Sequence, residues 1–246
     1  MTSYDDSARR YAPTDSQVVT RQSYIPTNVN IGAQVAALKA AHVQVVVAFS
    51  VPAFTALLKL FSLKVGFSPT LVVSNVGSDP ITLAGLLEAF AKKGGATVSG
   101  NALTQGIITD GYLPSLGDAS SGWITLFKKV HDTYIPKLPF DGNVLYGESV
   151  GYAFVQAMFK AGRNPTRQDL VNALNAGNFP QGASVAPYGY TSGNHDGITG
   201  AYMAVIKNGV LVQQGDVLVT DVTSTGAVTP YMTAQPAAPA TGVPSP

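Results

Sequence analysis

The chain has 246 residues, enough for one large domain or two small ones with a real hydrophobic core. Hydrophobic residues make up 46%, charged residues 12%, and the formal net charge is +1, which argues against a disordered chain and against a nucleic-acid binder carrying a basic patch. There is no cysteine, so disulfides, thiolate zinc sites and a cysteine nucleophile are excluded.

The N-terminus, Met-Thr-Ser-Tyr-Asp-Asp-Ser-Ala-Arg-Arg, has no apolar h-region and is not a signal peptide as it stands. Gln17–Ser23 predicts a short strand. Ile31–Ala41 carries Ile31, Val35 and Leu38 at helical spacing, with Asn28 or Asn30 as its cap. Val43–Phe49 is nearly all apolar and β-branched, the pattern of a strand buried on both faces of a parallel sheet. Pro52 opens a helix over Ala53–Val65, and Gly66 stops it. Thr70–Val73 is a further short strand. Ser78 or Asp79 caps a helix with Pro80 at its first position, running to about Lys93 before Gly94-Gly95. Residues 17–95 therefore alternate strand and helix, which implies a parallel sheet wound by right-handed crossovers. Ligands of such sheets sit at the carboxyl ends of the strands, here Phe49-Ser50-Val51 and Ser74-Asn75-Val76.

The second half reads differently. Leu103–Tyr112 predicts a strand, ended by Leu113-Pro114. Ser120–Tyr134 predicts a helix with the only tryptophan, Trp123, and with Trp123, Phe127 and Tyr134 at core spacing. Val144–Ala161 predicts a helix with a small-residue face of Gly147, Gly151, Ala153 and Ala157; its one carboxylate, Glu148, is expected on a solvated face. Thr166–Ala176 predicts a third helix, opened by the T-x-x-D cap of Thr166 and Asp169 and closed by Gly177. Two strands follow, Gly200–Lys207 and Val210–Val219, joined by Asn208-Gly209, the strongest short hairpin signal. From about Thr223 the chain is rich in Pro, Ala, Thr and Gly and reads as a disordered tail. No run of about twenty apolar residues occurs.

Catalytic constellations are missing. His42, His131 and His195 have no H-x-x-x-H spacing, so a metal site is not expected, and no G-x-S-x-G elbow supplies a serine nucleophile. Gly94-Gly95 and Gly193 to Gly197 are not phosphate loops, because no Lys-Ser/Thr follows them. His195-Asp196 reads as a turn, and Tyr188 and Tyr190 either line a hinge or cover a loop.

The run from Ile31 through Leu38-Lys39-Ala40-Ala41 and Val45-Val46-Val47 to Ser50 resembles a recurring segment of type I periplasmic binding proteins, in which a helix ending near LKAA leads into a DVVV strand. Gly151–Met158 is similar to the family's GYDA helix, Gln168–Leu174 to the helix after it, and Asn194-His195-Asp196-Gly197 with the Asn208-Gly209 hairpin to its closing strands. Tyr4-Asp5-Asp6 resembles the family's DDYG turn in altered order. The resemblance covers roughly residues 16–220, and its specificity lies in the ordered series.

The resemblance implies an α/β fold: a parallel-sheet, Rossmann-like second lobe over residues 1–115, then helices and a C-terminal β-hairpin over 116–220 that return to an incomplete first lobe, then the disordered tail, 221–246. The sheet of the family's first lobe, with its signal peptide and lipid-attachment cysteine, has no counterpart, so the sequence reads as a partial member. The implied ligand contacts are Phe49, Ser50, Val51, Asn75 and Tyr4. Where the family often holds an α-ammonium with a carboxylate, Asn75 is neutral, which points away from a plain branched-chain amino acid and toward an amide, a small polyol, an aromatic acid or a short peptide. The alternative for Ser50 and Asn75 is that they cap the helices that follow them.

The function implied is that of an extracytoplasmic solute-binding protein serving an ABC transporter permease, binding an amino acid, an amide or a similar small molecule, with no cofactor, no metal, no nucleic-acid partner and no chemistry. Its rivals are a ligand-sensing receptor module of the same fold, a small α/β hydrolase, and a structural remnant without activity. With half of the site absent, the expectation is weak binding or none.

Overall fold

The computed structural model describes residues 18–220 and 227–244. Seven helices and six strands occur among them: α1 Gly32–Ala40, β1 Val45–Ala48, α2 Pro52–Lys64, β2 Thr70–Val73, α3 Pro80–Lys93, α4 Gly100–Thr104, β3 Ile108–Gly111, α5 Gly122–Tyr134, α6 Gly142–Ala161, α7 Arg167–Asn175, β4 Gly200–Lys207, β5 Val210–Val219 and β6 Thr229–Tyr231. The strands form one mixed sheet in the order β1-β2-β3-β4-β5-β6. The described chain divides into two compact units, one of residues up to Thr109 with Ile206–Gly209, the other of Asp110–Val205 with Val210 onward.

The first unit keeps the alternation of strand and helix from α1 through β1, α2, β2 and α3, and then adds α4 and the start of β3. β1 and β2 are parallel and in register from Val45 opposite Thr70 to Ala48 opposite Val73, and β3 joins parallel to β2 at Val72 and Ile108. Pro52 and Pro80 stand at helix starts, where a missing N–H costs nothing. Asp79 accepts from Thr82 N at 2.8 Å and so caps α3. The core is Val35, Leu71, Val73, Leu83, Leu87 and Ile107, all buried.

Three expectations for this unit fail. Residues 18–23 form no strand; β1 heads the sheet, and nothing among the described residues pairs with its outer side. β1 is not buried on both faces: Val46 is buried, but Val45 and Val47 are 51% and 47% exposed, because no layer among the described residues covers that face. Leu103 and Thr104 belong to a helix rather than a strand. Ser99 caps that helix through Ala102 N at 3.3 Å, and Gly100 lies so close to α3 that a Cβ there would sit 2.2 Å from the Ala84 carbonyl oxygen.

The second unit packs α5, α6 and α7 with β4, β5 and β6. The core around Trp123 comprises Ile124, Phe127, Leu145, Leu113 and Ala183, with Tyr152 set edge-on to the indole at 4.9 Å between centroids. Tyr134, read with Trp123 and Phe127 as core, is exposed at the end of α5. Thr166 and Asp169 form the expected capping box. Asn208 and Gly209 both have positive φ, +52° and +78°, which is the type I′ geometry that an Asn-Gly turn favours. The turn of the hairpin, Ile206–Gly209, groups with the first unit.

The Pro/Ala/Thr-rich C-terminus is ordered where it is described. β6 pairs antiparallel with β5 from Val217 opposite Tyr231 to Val219 opposite Thr229. Trp123 Nε1 donates to the Pro236 carbonyl at 2.6 Å, and Gln235 Nε2 donates to Ala183 O at 2.6 Å. Composition alone suggested disorder; these side chains give the segment the partners that its prolines cannot provide themselves.

Candidate functional site

The carboxyl ends of β1 and β2 meet within the first unit. After β1 the chain runs through Phe49, Ser50 and Val51 into α2. After β2 it makes a 3-10 turn, Asn75–Gly77, before α3. Ser74 N donates to Ala48 O at 3.0 Å, which ties the two exits together. Gly77 is then pressed against the first loop: a Cβ at 77 would lie 2.2 Å from Ser50 O and 2.9 Å from Thr55 Oγ1. A residue without a side chain is what permits this approach. Within β3, Thr109 Oγ1 shares a buried hydrogen bond of 2.6 Å with Ser78 Oγ.

Neither Ser50 nor Asn75 caps a helix. The N-cap of α2 is Val51, without a side-chain bond, and that of α3 is Asp79. Ser50 Oγ instead shares a 2.7 Å hydrogen bond with Thr55 Oγ1, which holds the hydroxyl at the loop. The carbonyl of Asn75 accepts from Ser78 N and from Ser78 Oγ, each at 3.2 Å, which fixes the turn. Around these polar groups stand exposed apolar side chains: Phe49 is 61% exposed, and Val51 and Val76 are also exposed. The strand ends thus present hydroxyls, an amide and apolar surface. Asp79, the carboxylate nearest in sequence to the second exit, is engaged in its cap. Such a surface can hydrogen-bond a neutral polar group and shelter an apolar one. The structure brings Phe49, Ser50, Val51 and Asn75 to these adjoining loops; Tyr4 lies outside the described residues.

The second unit holds a group of aromatics that the linear sequence did not reveal. Tyr188 and Tyr190 stack at 5.6 Å, Phe179 meets both, and Tyr112 meets Tyr146 edge-on at 6.1 Å. Burial, with the neighbouring Tyr146 and Asp110, pushes the Tyr112 phenol up to about 12. A pocket of about 490 Å³ in the same unit is lined by Ser115, Asp118, Tyr202, Leu211 and Gln235 among others. Its polar groups are largely spoken for: Tyr202 Oη donates to Leu113 O at 2.8 Å, Ser115 Oγ to Leu211 O at 2.7 Å, and Asp118 accepts from Ser120.

Glu148 departs from its expected solvated face. Both carboxylate oxygens are buried without a hydrogen-bond partner among the described residues, and burial pushes the group up to about 7 despite the opposing influence of His131. His131 is itself buried, with Nδ1 2.9 Å from Asp132 Oδ1 and Nε2 2.8 Å from Leu138 O. No group of three or more His, Asp or Glu side chains among the described residues could hold a metal, and no described helix is long and apolar enough to cross a membrane.

Residues 2–210 match the family described as "Periplasmic binding protein". No curated protein matches the sequence significantly. Many solved structures share the fold, among them the following. A branched chain amino acid ABC transporter protein from Thermus thermophilus with bound valine is 17% identical, with a TM-score of 0.60, and the match covers 81% of this chain and 52% of that one. A substrate-binding periplasmic protein from Ralstonia solanacearum is 20% identical, with a TM-score of 0.64 over 78% of this chain and 51% of that one. A fatty acid ABC transporter substrate-binding protein from Thermomonospora curvata is 22% identical, with a TM-score of 0.61 over 78% and 48%. The chain therefore spans about half the length of these relatives.

Proposed function

Because this chain belongs to the periplasmic binding protein family, we propose that it is the ligand-binding part of an extracytoplasmic solute-binding protein that delivers a small polar molecule to an ABC transporter permease. The observation that carries this reading is the junction of the strand ends, where Ser50, Thr55 and Asn75 are held beside exposed Phe49 and Val51. The proposed contacts are Phe49, Ser50, Val51 and Asn75, with Tyr4 added on the family resemblance alone. Recognition is non-covalent: hydroxyl and amide groups orient the ligand, apolar side chains shelter it, and no bond is made or broken. The first unit acts as the second lobe of the family, and the helices after Asp110 belong to the segment that returns to the first lobe.

The neutral side chain of Asn75 points to the ligand class. A ligand ammonium would gain only neutral hydrogen bonds here, roughly half as strong as charge-assisted ones. Amides and other neutral polar groups with an apolar portion fit better than free amino acids. Two loops offering only neutral hydrogen bonds and apolar shelter support binding in the millimolar range, about −4 kcal/mol, rather than the micromolar range, about −8 kcal/mol.

The test is a thermal-shift panel of amino acids, their amides, aromatic acids and polyols, followed by calorimetric titration of the hits. A saturable rise with amides that is lost in Asn75→Ala and Ser50→Ala supports the assignment, since binding to the folded state stabilises it by mass action. Micromolar binding that both variants retain would place the site elsewhere in the chain.

A further inference from the structure

We propose that the second unit carries a groove for an extended, uncharged peptide of P-x-x-P pattern, and that the chain's own segment Thr229–Pro244 is the ligand resident in it.

The family match ends at residue 210, so this segment lies beyond it. It has no charged residue, and it contains the run Pro236-Ala237-Ala238-Pro239. Prolines three residues apart favour the polyproline conformation, whose main chain makes no internal hydrogen bonds and so leaves its carbonyls open to a partner. From Ala234 to Pro239 the segment is neither helix nor strand. Of residues 229–244 only Pro244 is buried. The segment therefore lies on its unit as a ligand lies on a receptor, and builds little of the core itself.

The receptor surface grips this peptide along its length, and every gripping group belongs to the same compact unit. At one end the main chain adds as β6 to β5, with Tyr231 opposite Val217 and Thr229 opposite Val219, which is strand addition to a sheet edge. In the middle the buried indole of Trp123 donates from Nε1 to the Pro236 carbonyl at 2.6 Å, and Phe127 and Tyr152 stand around that ring. Aromatic-lined grooves of this kind are the usual receptors of P-x-x-P segments. Beside it Gln235 Nε2 donates to the carbonyls of Ala183 at 2.6 Å and Ser184 at 3.1 Å. Ala238 packs against the Trp123 core in the room left by Gly122: a Cβ on that glycine would stand 3.5 Å from the Ala238 methyl. Further on, the backbone of Gly242 lies against Leu126. Strand addition, an indole donor to a proline carbonyl and a slot that admits a methyl group together define the ligand class. Charged residues are absent from the peptide and from these contacts, so the selection is by shape and main-chain hydrogen bonds.

The test uses the full chain with residues 221–226 replaced by a protease recognition sequence, folded first and then cut, so that non-covalent contacts alone hold the segment. A dansylated peptide of residues 227–244 is added to the cut protein. Trp123 is the only tryptophan, so energy transfer from it to dansyl reports peptide seated beside α5. At micromolar concentration the cut segment should co-elute with the rest of the chain, with circular dichroism unchanged, and sensitised emission should rise saturably as the labelled peptide exchanges in. Unlabelled peptides then compete. Gln235→Ala should compete about fivefold less well, the worth of one net hydrogen bond. Ala238→Asp, which sets a charge into the slot, should compete at least about tenfold less well. Ala237→Asp carries the same charge at an exposed position and should compete like the parent peptide. Separation of the segment on cutting overturns the proposal, as does loss of the circular dichroism signal, which would make the segment part of the core. Absence of energy transfer overturns it too, and so does equal competition by Ala238→Asp and Ala237→Asp.

Discussion

Gly77→Ala tests directly whether the loops after β1 and β2 abut. The φ of Gly77 is not positive, so the backbone itself accepts alanine; the whole effect comes from space. The added Cβ would stand 2.2 Å from Ser50 O, 3.0 Å from Ser50 C and 2.9 Å from Thr55 Oγ1. Two of these neighbours are backbone and cannot rotate away, so the loops must separate by about 1 Å, the gap to an ordinary carbon–oxygen contact. Separation strains the bond from Ser74 N to Ala48 O and the pairing of Ser50 with Thr55. Overpacking of this kind costs about 2–3 kcal/mol, which for a chain of this size lowers Tm by about 5–10 °C. Circular dichroism melting of the variant against the parent measures it. Gly85→Ala is the control: that glycine is exposed in the middle of α3 with open space around it, so alanine should stabilise by about 0.5–1 kcal/mol. If Gly77→Ala melts within about 1 °C of the parent, the two loops do not abut, and the proposed ligand contacts lose their common origin.

Glu148 makes stability depend on pH. Its folded-state value is raised to about 7 from an ordinary 4.5. The folded state therefore holds the proton more tightly, and its advantage is full below the ordinary value, falls as pH rises toward about 7 and is absent above. Because the rest of the side chain is partly exposed, the shift is discounted to about 1–2 kcal/mol. Glu148→Gln should be more stable than the parent by that amount at about pH 8 and no more stable at about pH 4, measured by denaturant midpoints. His131, raised chiefly by its hydrogen bond with Asp132, keeps a residual slope of the same sign in the variant. Trp123→Phe removes the donor to Pro236 O, costs about 1 kcal/mol, and should speed proteolytic trimming of residues after Tyr231 without changing cleavage elsewhere; an unchanged trimming rate would mean that the indole does not hold the segment.

The βα repeats of the first unit were legible because each signal was local. Pro52, Asp79-Pro80 and Gly66 mark helix ends through the chemistry of one or two residues, and the apolar runs between them have strand length. What covers a strand is not local. Val43–Phe49 carries the composition of a strand buried on both faces, yet Val45 and Val47 are half exposed because the layer that would cover them is not among the described residues. The same holds for Glu148, since helical phase alone does not tell whether α5 or water lies opposite. The short helix α4 was missed because Leu103-Thr104 looks like the start of the strand that follows, while its cause, the contact of Gly100 with Ala84, spans two helices. Phe49, Ser50, Val51 and Asn75 were proposed as contacts from the rule that ligands sit at strand ends, and they lie on the loops after β1 and β2. The aromatic group of Tyr112, Tyr146, Phe179, Tyr188 and Tyr190 went unrecognised because it joins segments far apart in the chain.

The hairpin turn has a consequence for biosynthesis. Ile206 N donates to Ile107 O at 2.9 Å, Gly106 N donates to Ile206 O at 3.0 Å, and Gln105 Nε2 reaches Asn208 Oδ1 across 103 residues of chain. The unit that begins the sequence is thus closed by four residues near its end. On the ribosome, where folding proceeds from the N-terminus as the chain emerges, β1 to β3 can pair early, but the outer side of β3 stays open until Gly209 has been made and has left the exit tunnel. While the roughly ninety residues between β3 and the turn are being made, this half-finished sheet is exposed to whatever else the nascent chain meets, and an expression fragment ended near residue 115 would keep it so permanently.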